Sequence, residues 1–160
     1  VFTDLNEMLK VYDSAKRGHY IGQFHDNSEN NFRRFCAEAF KRGNICLILD
    51  EVHSFTTKMK QLKEFNNIIL SGRPRGISNI VISSRPASLP NNVLSGSKHV
   101  FAFKLNLESD LKFLASYLGD DVWILMPPDK RKRLRNLPEL EPHTFYYRDM
   151  DEDTGRLGKV

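Results

Sequence analysis

The chain has 160 residues, of which 40% are hydrophobic and 28% charged, which is enough for one domain with a real core and typical of a globular protein. No apolar run approaches the ~20 residues that span a bilayer, and no secretory leader is visible, so a membrane-spanning or exported reading has no support in these residues. A net charge of +4 and a pI near 9.1 leave a polyanionic partner open without identifying one.

In chain order, residues 3–16 are predicted helical. Asp4 with Glu7 forms a capping-box pattern, and Leu5, Met8, Leu9 and Tyr12 recur at helical spacing. Gly18 can end that segment, residues 19–24 are a short strand candidate, and residues 25–28 are a polar turn. Residues 29–42 are the clearest helix: Ser28 can cap it, Phe32, Phe35, Cys36, Ala39 and Phe40 make one apolar stripe, and Lys41 and Arg42 precede the closing Gly43. Ile45–Leu49 is apolar at every position, the mark of a short strand buried on both faces, and it stops at Asp50-Glu51. Residues 60–71 are predicted helical, residues 77–82 a second strand ending in Ser83-Ser84-Arg85-Pro86, and residues 99–105 a third strand. Residues 108–118 form a helix with Leu111, Leu114, Ala115 and Leu118 on one face, closed by Gly119. A break at Pro127-Pro128 leads to a short basic helix at 130–136, a last strand at 144–148 and an acidic turn at 149–155. Trp123 is read as a core or interface anchor. Cys36 and Cys46 have no CxxC or Cys/His zinc spacing and are expected as buried, reduced thiols of an intracellular protein. Strands alternating with helices predict an α/β fold with a mostly parallel central sheet flanked by helices, in one domain over 1–160.

Ligands gather at the carboxyl ends of parallel strands. Two strands bring polar groups there: one Asp50-Glu51, the other Ser83, Ser84 and Arg85. An acidic pair after a buried strand is the Walker B arrangement. Asp50 is placed to hold Mg²⁺, directly or through its water shell, and Glu51 to polarise the water that attacks a γ-phosphate. The dipeptide alone suits a solvated strand end equally well, and its context carries the weighing. His53, two residues past Glu51, is within reach of the site, although a packing or surface role is the plainer reading. His99 and His143 have no metal partner at ligand spacing.

That context is Gly72-Arg73-Pro74-Arg75-Gly76 leading into Ile80-Val81-Ile82-Ser83-Ser84-Arg85-Pro86, then Leu89-Pro90, Val93-Leu94 and Val100-Phe101-Ala102-Phe103. Over about residues 19–118 this succession resembles the HerA/FtsK superfamily of P-loop ATPases, whose core is RecA-like. The resemblance implies that Asp50 coordinates Mg²⁺ and that Glu51 is the catalytic glutamate. It matches Arg73 and Arg75 to the basic turn, either one a candidate to stabilise the transferring phosphoryl group of a neighbouring subunit. It makes Ser83, Ser84 and Arg85 the nucleotide-sensing strand end. Ser84 stands where the family pattern has Gln, so its hydroxyl has a shorter reach. ATP and Mg²⁺ are the implied cofactors. Double-stranded DNA and a homo-oligomeric ring, a hexamer, are the implied partners, with capsid or portal-type proteins in a packaging context and a cytoplasmic or virion-associated location.

No G-x-x-x-x-G-K-[ST] occurs in the chain. The expectation is therefore the C-terminal part of an ATP-driven DNA motor whose phosphate-loop portion lies upstream of Val1, inactive by itself. Lys58, Lys60 and Lys63, after the acidic pair, and Lys130, Arg131, Lys132 and Arg133, in the basic segment, are the candidate DNA contacts, with solvated faces or a subunit interface as alternatives. Two rival classes share the fold: a morphogenesis or assembly protein of the zonular-occludens-toxin type, and a non-catalytic nucleic-acid-binding module.

Overall fold

The computed structural model describes residues 4–14, 28–125 and 143–159. The strand expected at 19–24, the proline break and the basic segment at 130–136, with Lys130, Arg131, Lys132 and Arg133, lie outside the described residues. The chain forms two compact units, residues 1–47 with 62–78 and residues 48–61 with 79–160. No described helix is long and apolar enough to cross a membrane.

The first unit is built on helices. In α1 (Leu5–Ser14), Asp4 Oδ1 accepts the N–H groups of Asn6 at 2.6 Å and Glu7 at 3.3 Å, satisfying two donors that the helix start leaves open. In α2 (Glu29–Arg42), Ser28 Oγ accepts Asn31 N–H at 3.4 Å and Gly43 closes the other end with φ +66°. Only glycine fits there, since a Cβ would lie 2.6 Å from the carbonyl oxygen of Arg75. α2 buries Phe32, Cys36 and Ala39, and α3 (Lys63–Ser71) buries Phe65 and Ile68. The Phe32 and Phe65 rings meet at 6.0 Å between centroids. Arg33 bridges the same pair of helices by a two-pronged bond to Glu64 at 3.1 and 3.2 Å, which holds the Glu64 carboxyl below its ordinary range. That contribution is present at neutral pH and is lost as the pH falls through the lowered value.

The two cysteines differ. Cys36 is fully buried, and desolvation pushes its thiol up to about 12. Cys46 was expected to be buried but is exposed, because β1 (Ile45–Leu49) buries only Leu47 and Leu49 while Ile48 is 66% exposed. The expected burial of β1 on both faces is thus corrected to one face among the described residues. The thiolate is the reactive species. Iodoacetamide at about pH 8 is expected to modify Cys46 and spare Cys36 in the native protein, read by peptide mass spectrometry. Equal labelling of both would contradict the packing of α2.

β2 (Ile77–Val81) pairs with β1 in a parallel two-stranded sheet. In the second unit, single 3-10 turns at Val52–Ser54 and Pro86–Ser88 follow β1 and β2. Then come α4 (Asn91–Ser95), β3 (His99–Ala102), α5 (Glu108–Leu118) and a 3-10 segment at Asp120–Leu125. The core here joins Leu94, Val100, Ala102, Leu111, Leu114, Leu118, Val122, Leu125 and Tyr146.

β3 pairs antiparallel with β4 (Thr144–Asp149), and β4 with β5 (Thr154–Lys159). The mostly parallel sheet of the sequence reading is thus a parallel pair together with an antiparallel three-stranded sheet. A tight turn joins β4 to β5, and so short a connection permits only antiparallel pairing. Asp149 Oδ1 builds that turn by accepting the N–H groups of Asp151 at 3.0 Å and Glu152 at 3.2 Å, bonds that also lower the Asp149 carboxyl. β5 occupies residues expected partly as an acidic turn. Its glycines conceal it in sequence yet suit it in space. Gly158 lies opposite Phe145, whose ring sits where a Cβ would come within 2.4 Å.

Candidate functional site

The parallel pair positions the acidic dipeptide. Ile82 N–H donates to Leu49 O at 2.8 Å, and Val52 N–H returns to Ile82 O at 3.4 Å, so the ends of the two strands are tied on both sides of Asp50-Glu51. Between these ties the chain turns sharply. Glu51 adopts the left-handed conformation, φ +49° and ψ +40°, which costs a non-glycine residue about 1–2 kcal/mol. Backbone strain at such a point is a common companion of function.

The glutamate is held on one oxygen. Ser84 Oγ donates to Glu51 Oε2 at 3.1 Å, and His53 Nδ1 lies 3.1 Å from the same atom. His53 Nδ1 is also 3.0 Å from Ser83 Oγ, which accepts Arg85 N–H at 3.1 Å. A proton on Nδ1 would face both the Glu51 carboxylate and the Ser83 hydroxyl. Asp50 Oδ1 accepts Glu51 N–H at 2.9 Å, and both carboxylates are solvent-exposed. Arg85 Nε lies 3.5 Å from Asp110 Oδ2, and Asp110 Oδ1 accepts Ala87 N–H at 2.9 Å.

Within the second unit the structure thus joins Glu51 directly to Ser84 and, through His53, to Ser83; Asp50 contacts the backbone of Glu51, and the Arg85 side chain faces Asp110. Two participants were missed. His53 was read as a packing or surface residue, and Asp110 was passed over on a helix read by its leucines. The signal for Asp110 was available: at i, i+4 and i+8 it lines up with the buried Leu114 and Leu118, a carboxylate on an apolar row.

The other candidates divide. Arg75 belongs to the first unit, where its Nε donates to Phe40 O at 2.7 Å and its Nη2 to Lys41 O at 3.2 Å, while the guanidinium stacks 4.7 Å from the Phe40 ring. It satisfies the last carbonyls of α2, a structural task that the motif did not announce. Arg73, in the same turn, is exposed; its carbonyl accepts Gly76 N–H at 3.0 Å, and its side chain has no hydrogen bond or ion pair among the described residues. Lys58 places its ammonium 3.7 Å over the Phe113 ring and its N–H on Ser88 O at 3.0 Å, so it is engaged within its own unit. Lys60 lies in the turn beside it, where its N–H donates to Thr57 Oγ1 at 3.1 Å, and Lys63 opens α3 in the first unit. Among the described residues no cluster of three or more His, Cys, Asp or Glu forms a metal cage.

Two parallel strands, one ending in an acidic pair and the other in a Ser-Ser-Arg turn, can be compared with solved proteins. The fold is that of the genome-packaging NTPase B204. This NTPase of Sulfolobus turreted icosahedral virus 2, solved with ATP-gammaS, superposes with a TM-score of 0.62 at 15% identity, over 85% of this chain and 65% of that one. Its sulfate complex gives a TM-score of 0.63 at 17% identity, over 87% and 65%. B204 from Sulfolobus turreted icosahedral virus, a DNA-packaging ATPase, gives 0.62 at 16%, over 86% and 66%. The chain thus spans just under two thirds of the length of these neighbours and represents part of their P-loop NTPase fold. No family model matches the sequence, and no curated protein is similar to it in sequence.

Proposed function

We propose that the chain is the Walker B portion of an ATP-driven motor that packages or transfers double-stranded DNA. The observation that carries this reading is the held glutamate. Glu51, at the end of a parallel strand, is fixed through Oε2 by Ser84 and His53, which leaves Oε1 to take a proton from a water. The B204 fold supports it, since those neighbours are packaging NTPases and were solved with ATP analogues. In this reading Asp50 and Glu51 divide the work as adjacent carboxylates do in phosphoryl transfer: one orients a cation, the other a nucleophile.

The residues present fit Mg²⁺. Asp50 is exposed and spends Oδ1 on a backbone N–H, leaving Oδ2 as a single carboxylate ligand. One carboxylate completed by water and phosphate oxygens is the usual Mg²⁺ set, which agrees with the lack of a protein cage among the described residues. Held there, Mg²⁺ would supply positive charge to offset that of a nucleotide's phosphates. Arg85 faces the same edge as a donor to phosphate oxygen, and Arg73 is the remaining candidate to act on the site of a neighbouring subunit in a homo-oligomeric ring, a hexamer by resemblance. Lys60 and Lys63, with the basic run Lys130, Arg131, Lys132 and Arg133, are the proposed DNA contacts, and capsid or portal-type proteins the proposed packaging partners. In this reading the phosphate-binding loop is supplied from outside these 160 residues, whose sequence contains no G-x-x-x-x-G-K-[ST].

The direct test is displacement of a third-strand oligonucleotide from linear duplex DNA by the full-length protein. Displacement that requires ATP, Mg²⁺ and an intact Glu51 is the expected result. ATP-independent displacement, or none, would remove the motor reading.

A further inference from the structure

We infer that Asp110 is a positioning residue: buried in the otherwise exposed start of α5, it clamps the Arg85–Ala87 turn and presents Arg85 as a two-nitrogen fork for a phosphate oxyanion. The inference rests on the ATPase reading of the same site.

A carboxylate is not retained in an apolar row for packing. Asp110 is 1% exposed and lies in line with Leu114 and Leu118, where a leucine would fill the space without desolvating a charge. What it does there is visible in its two oxygens. Oδ1 accepts Ala87 N–H at 2.9 Å, and Oδ2 pairs with Arg85 Nε at 3.5 Å. The turn after β2 is therefore held at three points, because Arg85 N–H also donates to Ser83 Oγ at 3.1 Å.

The choice of nitrogen is informative. An arginine that spends its donors on a carboxylate meets it through two nitrogens at once, as Arg33 meets Glu64. Here the ion pair falls on Nε, and neither terminal nitrogen has a partner among the described residues. The Arg85 side chain is 49% exposed while that of Asp110 is 2% exposed, so a buried anchor holds a solvent-accessible arginine. A planar pair of N–H donors fixed at its base is suited to a terminal phosphate, whose oxygens gain charge during transfer.

The test uses the full-length protein. Asp110→Asn keeps the size and an acceptor for Ala87 N–H but removes the charge opposite Nε. Turnover of ATP is expected to fall by about 10–100-fold with KM changed by less than about 3-fold, the pattern of an interaction made chiefly in the transition state. Asp110→Glu, which retains the charge, is expected to recover most of the loss. Combined with Arg85→Lys, Asp110→Asn is expected to add nothing further, because both substitutions break one unit.

A second readout needs no turnover. In ¹⁵N-labelled protein the Arg85 Nε–Hε resonance, assigned by its disappearance in Arg85→Lys, is expected to exchange slowly with water and to move in Asp110→Asn. Wild-type Nε–H exchanging as fast as a free arginine side chain would overturn the clamp even if the variant does not fold. Unchanged turnover in Asp110→Asn, or losses that multiply with Arg85→Lys, would overturn it too. If the full-length protein hydrolyses no ATP while the resonance behaves as expected, the ATPase reading falls and the clamp stands.

Discussion

Replacing Glu51 by Gln in the full-length protein is expected to reduce ATP turnover by about 10²–10⁴-fold, the usual contribution of a positioned general base, while ATP binding persists. The reason lies in what the substitution preserves. Gln keeps the length of the side chain and an acceptor oxygen for Ser84 Oγ–H and His53 Nδ1, so the turn around Val52–Ser54 has no cause to rearrange. It removes the carboxylate oxygen that takes the proton of water. Asp50, the proposed cation ligand, is untouched, and nucleotide affinity is expected to stay within about 3-fold. Single-turnover hydrolysis beside equilibrium binding of a fluorescent ATP analogue separates the two effects. A variant that binds and still turns over at the wild-type rate would assign the Glu51 carboxylate a structural role and take the chemistry away from this strand end.

The largest stability effect is expected in the first unit, at Phe65→Ala. The ring is 0% exposed and meets Phe32 between α2 and α3, the contact on which that helical pair depends. Truncation removes the transfer free energy of the ring and leaves a cavity that the two packed helices cannot easily close, together about 3–5 kcal/mol. The neighbouring Arg33–Glu64 pair is exposed and cannot compensate. Met59→Ala serves as the control, because Met59 is 99% exposed and its truncation is expected to change stability by less than about 0.5 kcal/mol. Urea denaturation followed by circular dichroism reads both. A loss below about 1 kcal/mol for Phe65→Ala would mean that the α2–α3 contact does not carry the unit.

How much of this was legible in the sequence varies with the range of the interactions involved. Helices α2 and α5 occupy the residues expected because their signals are local: a serine cap, an apolar stripe and a closing glycine in α2, and leucine spacing with Gly119 in α5. The start of α3 was placed too early, since the segment at 56–60 is held in a turn by Thr56 Oγ1 on Lys60 O at 3.1 Å, a bond that no helix-forming pattern reveals. β5 was overlooked because Thr154–Lys159 has weak strand propensity by itself and depends on Phe145 and Tyr146 lying against its glycines. The apolar run of β1 implied cover on both faces, yet alternate residues are exposed among the described residues.

The site divides in the same way. Asp50 and Glu51 were visible as a dipeptide at a strand end, and Ser83, Ser84 and Arg85 as its neighbouring turn. Their mutual arrangement was not, because the Ser84 bond to Glu51 spans 33 residues and the Asp110 bond to Ala87 spans 23. A one-dimensional pattern also could not tell Arg73 from Arg75. Their difference comes from the end of α2 folding back beneath Arg75.

The measurement that bears most directly on the central claim is Mg²⁺-dependent ATP hydrolysis by the full-length protein, with and without duplex DNA. The expected result is turnover that needs Mg²⁺, rises when duplex DNA is added and is lost in Glu51→Gln. A full-length protein that binds no ATP and releases no phosphate under either condition would contradict the claim, leaving the held glutamate as an inheritance of the fold.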